Sequence, residues 1–328
     1  MIEELYKKIK TYDKRAIAKA ITLIESSRRE DRKPAIQLLT KLHAGQNKKS
    51  LRIGISGIPG VGKSTFIEKI GSHILESNPQ TKIAILPIDP SSPIEGGSIL
   101  ADRLRMTSLS NHPNVFIRPS PNSGTHGGLS RRTRESMLLL EAAGFDILFV
   151  ETVGVGQIEF HVASLVDIFL LLQMPSTGDE WQAMKKGILE LADMIVVNKA
   201  DGELIQEAKR LKKILELSFH SHDKNQGPSI LSCSSLNGEG VADIWKELNS
   251  KIEAKKARNL FFEKRRQQNL FWFEEELLAQ IKDEIHLNPA IRKTLEPIRK
   301  DIAEKDEILF SFAAEKAMNN LFREEFGP

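Results

Sequence analysis

Lys63 and Ser64 close the segment Gly57-Ile58-Pro59-Gly60-Val61-Gly62-Lys63-Ser64, which fits the pattern G-x-x-x-x-G-K-[ST] at every defined position. The glycines let successive backbone N–H groups turn inward toward phosphate oxygens. Lys63 adds a point charge near the β- and γ-phosphates, and the Ser64 hydroxyl can ligate Mg²⁺. Thr65 follows and opens a helical pattern, while residues 51–56 (LRIGIS) read as a short buried strand. Strand, glycine loop and helix in that order are what phosphate binding requires.

A phosphate loop does not choose between adenine and guanine. Asn198-Lys199-Ala200-Asp201 ends a strand-like run with the N-K-x-D pattern. The Asp201 carboxylate can accept hydrogen bonds from guanine N1–H and from the exocyclic N2 amine. Adenine would leave that carboxylate unpaired, at a cost of about 1–3 kcal/mol. Downstream, Ser234, Ser235 and Leu236 resemble the S-A-x loop of GTPases, whose backbone N–H meets guanine O6; Ser235 stands where alanine is usual.

The run Asp146-Ile-Leu-Phe-Val-Glu151-Thr152-Val153-Gly154 has the layout of a Walker-B strand, with Glu151 where Ras-like GTPases have aspartate. An acid there can hold Mg²⁺, and the Gly154 N–H can meet the γ-phosphate. Val155, rather than a water-orienting glutamine, follows Gly154, so slow intrinsic hydrolysis is expected. Gln157 and Glu159 lie near enough to matter. Asp89 and Asp102 are further metal-ligand candidates; each could instead cap a helix from a loop. Octahedral Mg²⁺ keeps several waters, so few protein ligands are needed. The loop 119–128, dense in turn formers, is expected to be mobile, with His126 a solvated loop side chain.

These residues need a scaffold. Residues 51–250 alternate strand-like blocks (51–56, 82–88, 114–117, 146–151, 167–173, 193–198, 229–233) with helical ones (65–76, 130–143, 181–191, 203–217, 241–252). That alternation predicts an α/β fold, a P-loop NTPase with a mostly parallel sheet flanked by helices and ligands beyond the carboxyl ends of its strands. Residues 1–48 read as an N-terminal helical segment and 49–252 as the GTPase domain. In 253–328, Leu270, Phe273, Leu277, Ile281 and Ile285 recur at helical spacing. That stripe could bury itself on a partner subunit or pack back on its own domain. Seven Lys/Arg against two Glu between 251 and 270 form a basic run.

Composition narrows the class. In 328 residues a net charge of +3 gives no polyanion-binding excess, and no apolar run approaches a membrane span. Cys233 is the sole cysteine, which excludes an intramolecular disulfide or a multi-cysteine zinc site and suits a reducing cytoplasm.

The sequence resembles the MeaB/ArgK family of P-loop GTPases in GIPGVGKST (57–65), PIDPSSP and GGSILADRLRM (within 87–106), FIRPSPNSGTHGG (116–128), ETVGVGQIE (151–159), STGDEWQAMKKGI (176–188), VVNKADG (196–202) and LNGEG (236–240). The resemblance implies a GTP-hydrolysing chaperone. It would gate cofactor loading and protect or reactivate an adenosylcobalamin-dependent acyl-CoA mutase, chiefly methylmalonyl-CoA mutase. It also implies homodimers formed through the C-terminal helical extension, with no nucleic-acid or membrane partner expected. Carried over residue by residue, GTP or GDP would contact Gly57 to Thr65, Asn198, Lys199, Asp201 and Ser234 to Leu236. Mg²⁺ would be held by Ser64, Asp89, Asp102 and Glu151. Lys63, Glu151 and Asp102 would be the catalytic residues, and Asp179, Gln182 and Lys185 would signal from a further switch. Ala101, Leu104, Ile158 and Trp181 depart from the family's usual residues in switch regions. A metal-delivery GTPase, which should carry a cysteine or histidine cluster, and a GTP-binding interaction module without turnover are the alternatives.

Overall fold

A computed structural model describes residues 1–26, 28–44, 50–88, 106–118, 126–152, 158–175, 186–219, 227–304 and 309–326. Among them, β1 (Leu51–Ser56), β2 (Ile83–Ile88), β3 (Val115–Ile117), β4 (Ile147–Thr152), β5 (Ile168–Gln173), β6 (Met194–Val197) and β7 (Ser229–Ser232) form one sheet in the order β3-β2-β4-β1-β5-β6-β7. Every pairing is parallel, as the strand–helix alternation predicts. The strands β2, β4, β5 and β6 are buried along their whole length, which is why they read as continuous apolar runs rather than alternating ones. Ile53, Ile55, Phe66, Phe149 and Leu170 are fully buried in the core; each such side chain contributes roughly 1.5–3 kcal/mol.

The N-terminal helices are α1 (Ile2–Lys10), α2 (Lys14–Glu25) and α3 (Arg29–His43). Asp13 caps α2 by accepting from the N–H groups of Arg15 and Ala16. Ile9, Ile17, Ile21, Leu38 and Leu42 are fully buried, and Lys14 Nζ donates to the Val115 carbonyl of β3 (2.6 Å). The remaining helices among the described residues are α4 (Lys63–Ser77), α5 (Thr107–Ser110), α6 (His126–Ala142), α7 (Ile158–Leu165), α8 (Lys186–Leu191), α9 (Ile205–Phe219), α10 (Val241–Ala257), α11 (Leu260–Leu287), α12 (Pro289–Ala303) and α13 (Phe310–Phe326). Two expectations are corrected. His126 opens α6 instead of lying in a turn-rich loop, because Gly127 and Gly128 continue into the helix despite their low propensity. The block expected as a helix from 203 begins as a 3-10 turn, Gly202–Leu204, before α9.

The chain divides into two compact units, Met1–Gln268 and Asn269–Pro328. The division falls inside α11, later than the 252/253 junction expected from sequence. The first turns of α11 belong to the first unit because Lys264, Arg265 and Gln268 bond to the amino-terminal edge of the sheet. Arg265 donates to both Asp167 oxygens (2.7 and 2.6 Å), Lys264 to the Asp167 carbonyl (3.0 Å) and Gln268 to the Val166 carbonyl (2.9 Å). In the second unit Trp272, Leu295 and Ile298 are buried, whereas Leu270, Phe273, Leu277 and Ile281 are exposed.

An aspartate precedes each of β4, β5 and β6, and each accepts the N–H of a residue at the start of another strand. Asp146 takes Lys82 N–H (2.9 Å), Asp167 takes Arg52 N–H (2.8 Å) and Asp193 takes Phe169 N–H (2.8 Å). These bonds satisfy N–H groups at the sheet's end and fix where neighbouring strands begin. With the strands in register there, their carboxyl ends come level on the opposite side, where the phosphate loop starts.

Candidate functional site

The loop after β1 and the start of α4 form the first half of the site. Gly62 has a left-handed backbone (φ 95°), and a Cβ there would lie 2.7 Å from Asn198 Nδ2, so a side chain is excluded twice over. Lys63 opens α4 and is nearly buried, its Nζ donating to the carbonyls of Gly57 (2.7 Å) and Ile58 (3.2 Å). Burial pulls its ammonium below the ordinary lysine value, against the opposing pull of Glu151 and Glu159. A buried cation bonded to neutral carbonyls of its own loop is poised to gain from an anion.

Ser64, one residue on, donates its hydroxyl to Glu151 Oε1 (2.9 Å). Glu151 is buried on β4, and beside it Thr152 donates to Ser56 Oγ (2.9 Å), joining the carboxyl ends of β4 and β1. An alcohol and a carboxylate in contact, both hard oxygen donors, at the first turn of a phosphate-loop helix fit Mg²⁺. Among the described residues no group of three or more His, Cys, Asp or Glu is placed to hold a metal ion. Asp89, Asp102, Gly154, Val155, Gln157, Asp179, Trp181, Gln182 and Lys185, with Ala101 and Leu104, lie outside the described residues.

The second half follows β6 and β7. Lys199 adopts φ 57°, and Ala200 N–H donates to the Cys233 carbonyl (3.0 Å), which brings the two loops together. Ser234 donates its hydroxyl to Asp201 Oδ2. Gly240, closing the second loop at φ 77°, admits no Cβ: one would sit 2.5 Å from the Ser232 carbonyl. Leu236 stands exposed on the same loop.

Asn198 joins the halves. Its Nδ2 donates to the Val61 carbonyl in the phosphate loop (2.8 Å), while its Oδ1 accepts from Ser235 N–H (3.0 Å), Ser235 Oγ (2.7 Å) and Cys233 Sγ (3.5 Å). The structure thus brings together Gly57 to Thr65, Glu151, Asn198 to Asp201 and Ser234 to Leu236 at the carboxyl ends of β1, β4, β6 and β7. Sequence reading placed Asn198 at the base; its bond to Val61 is a long-range contact with no local signal. Sequence reading also passed over the Ser56–Thr152 bond and the charged network behind the sheet. For the latter a signal existed in the repeated aspartate at the start of β4, β5 and β6.

Strand, phosphate loop, helix and an N-K-x-D strand end, tied through one asparagine, define the P-loop GTPases. Residues 17–290 match the family described as methylmalonyl Co-A mutase-associated GTPase MeaB. The chain belongs to that family and is a guanine-nucleotide-binding GTPase. A Mycobacterium tuberculosis protein that carries the name of a probable GTPase is 43% identical over 293 residues, spanning 88% of this chain and 86% of the relative. The GTPase ArgK of Escherichia coli is 38% identical over 293 residues, 88% of this chain and 87% of that one. A mouse mitochondrial protein named methylmalonic aciduria type A homolog is 38% identical over 307 residues, 90% of this chain and 73% of that one. The crystal structure of a protein named LAO/AO transport system kinase superposes with a TM-score of 0.74 at 29% identity, covering 98% of this chain and 97% of the other. Among the described residues no helix is long and apolar enough to cross a membrane.

Proposed function

We propose that this GTPase is a slow switch acting on an adenosylcobalamin-dependent acyl-CoA mutase, with methylmalonyl-CoA mutase as the client. In this reading its GTP cycle gates cofactor loading and protects or reactivates the mutase. The observation that carries the reading is the match of residues 17–290 to a family described by its association with that mutase.

In the loaded site the loop from Gly57 to Thr65 cradles the phosphates with its backbone N–H groups. Lys63 exchanges the carbonyls of Gly57 and Ile58 for phosphate oxygens and regains the charge stabilisation that burial removed. Ser64 and Glu151 would hold Mg²⁺, with Asp89 and Asp102 as its further ligands, and the ion would supply neutralisation of negative charge on the phosphates. Lys63, Glu151 and Asp102 are the catalytic residues of this reading. Asp201 accepts the guanine N1–H and N2 amine, Ser235 N–H donates to O6, and Lys199 and Leu236 flank the ring. Val155, where a water-orienting glutamine would stand, makes the intrinsic rate slow and leaves acceleration to the partner.

Within the extension that the sequence places from residue 253, the part beyond Gln268 is the dimerisation element, its stripe of Leu270, Phe273, Leu277 and Ile281 exposed in the single chain. Truncation after Gln268 is expected to give a monomer by sedimentation; a truncated protein that stays dimeric rules this arm out. The protein works in the cytoplasm, where Cys233 stays a thiol.

Single-turnover hydrolysis of GTP and ATP, with and without purified methylmalonyl-CoA mutase, tests the whole reading. GTP-selective turnover that changes rate with the mutase is expected. Equal turnover of ATP, together with a GTPase rate indifferent to the mutase, overturns it.

A further inference from the structure

Asn198 Oδ1 is a buried acceptor with two lone pairs, and Ser235 supplies two donors to it, a backbone N–H at 3.0 Å and a hydroxyl at 2.7 Å. The two are not equivalent once a base arrives. The N–H is the group that the proposed guanine site directs to O6, and a carbonyl oxygen there must draw it away from Asn198 or share it. If that N–H were the sole strong donor, loading the base would strip a buried acceptor of its partner. The remaining neighbour, Cys233 Sγ at 3.5 Å, is a weak donor. Burial pushes this thiol up to about 12, so it stays protonated and its weakness is that of S–H itself.

The hydroxyl does not face the base; beside Asn198 it meets the Cys233 sulfur, which as a protonated thiol is a weak acceptor. Ser235 is almost fully buried, and its Oγ lies at short hydrogen-bond distance from Oδ1. An alanine would keep the N–H contact to Asn198 in the empty site and lose the substitute donor in the loaded one. Asn198 is also the residue whose Nδ2 holds the Val61 carbonyl of the phosphate loop (2.8 Å). Any loosening of Oδ1 therefore reaches the phosphates.

We infer that the Ser235 hydroxyl is a positioning residue for guanine binding: it holds Asn198 when the Ser235 N–H turns to O6, so that the Asn198–Val61 tie survives loading. The inference rests on the guanine-site reading above. The hydroxyl touches neither base nor phosphate; it acts through Asn198. Its benefit appears on loading, because without a base to draw it away the Ser235 N–H already gives Asn198 Oδ1 one strong donor.

The test uses the full-length protein stripped of nucleotide, with calorimetric affinities for GDP, IDP, ADP and the diphosphate of 2-aminopurine riboside, which lacks O6 and the N1–H; each ligand is compared between variant and wild type, so the lost N1–H cancels. Ser235→Ala is expected to weaken GDP and IDP by roughly 3- to 10-fold, the worth of one net hydrogen bond. Its affinity for the 2-aminopurine diphosphate and its melting temperature when empty should match wild type. Ser235→Thr should restore GDP binding, while Ser235→Val, of the same shape without the hydroxyl, should not; this pair repeats the test at constant bulk. The inference is overturned if Ser235→Ala binds GDP as tightly as wild type. It is overturned equally if the loss is as large for the ligand without O6, which would make the hydroxyl a general support of the loop. A wild type that does not prefer GDP over ADP overturns the guanine site itself, and this inference with it.

Discussion

Among the described residues both ends of the parallel sheet carry buried polar groups, and the two ends use them in opposite ways. At the amino end, Arg265 grips both oxygens of Asp167, and Arg52 grips both oxygens of Glu141 at 2.9 Å. Lys255 and Lys264 face Asp193. Each charge meets its opposite, and the aspartates spend their other lone pairs on strand-starting N–H groups. Bidentate pairs of this kind are directional and leave no role for a ligand. At the carboxyl end, Lys63 is bonded to neutral carbonyls, Ser64 to Glu151 and Asp201 to a serine hydroxyl. Those partners are weaker than phosphate, magnesium or guanine would be. One end spends its polar groups on the fold; the other holds them in arrangements that a nucleotide can replace.

The sharpest way to break this comparison is Arg265→Ala. Removing one member of a buried pair leaves Asp167 uncompensated, at a cost of about 3–5 kcal/mol. The unfolding free energy from denaturant titration should fall by that amount, while GDP affinity in the folded protein stays at the wild-type value. A lost affinity would mean that the two ends are not separable. Lys63→Ala should do the reverse. GTP affinity is expected to drop by about 10²-fold or more, as for loss of a buried charge partner. The melting temperature of the empty protein should not fall, since a desolvated cation has been removed. A large thermal destabilisation would show Lys63 to be structural.

Asp201→Asn sharpens the comparison within the carboxyl end. The amide presents a donor where guanine needs a second acceptor. Preference for GTP over xanthosine triphosphate should shrink or invert, by roughly 10- to 100-fold in relative affinity. An unchanged ratio would remove Asp201 from the base site.

The smallest effect is a pH dependence at the amino end. Burial pushes Asp193 up, but Lys264 and Lys255 outweigh it and hold the carboxyl below its ordinary value. A depressed folded-state pKa contributes stability that is complete above the unfolded value of about 3.9. That contribution disappears as the pH falls through the lower folded value. Asp193→Asn should therefore lower the denaturant midpoint at neutral pH, and the gap to wild type should close on acidification below about pH 4. A gap independent of pH would assign the loss to the Phe169 N–H bond instead.

Much of the nucleotide end was legible because its geometry is written in neighbouring residues. Gly62 must be glycine, Lys63 must follow it, and Asn198 to Asp201 must end a strand; each rule spans a few positions. The amino end was far less legible. Asp167 and Arg265 lie 98 positions apart and Ser50 and Arg265 lie 215 apart, so no local pattern pairs them. In the sequence Arg265 is only one charge in a basic run, and helical spacing alone places its helix wholly in the extension.

The sequence by itself determined the phosphate loop, the guanine motif and the alternation that makes a parallel sheet. It could do so because loop conformation and strand or helix periodicity depend on residues within one or two turns of each other. Only the tertiary structure decided that Asn198 ties the loops after β6 and β7 to Val61, that three aspartates set where the strands begin, and that the first turns of α11 belong to the sheet. Those depend on which strands become neighbours. The order β3-β2-β4-β1-β5-β6-β7 puts β1 between β4 and β5 and so brings residues far apart in the chain within hydrogen-bond reach.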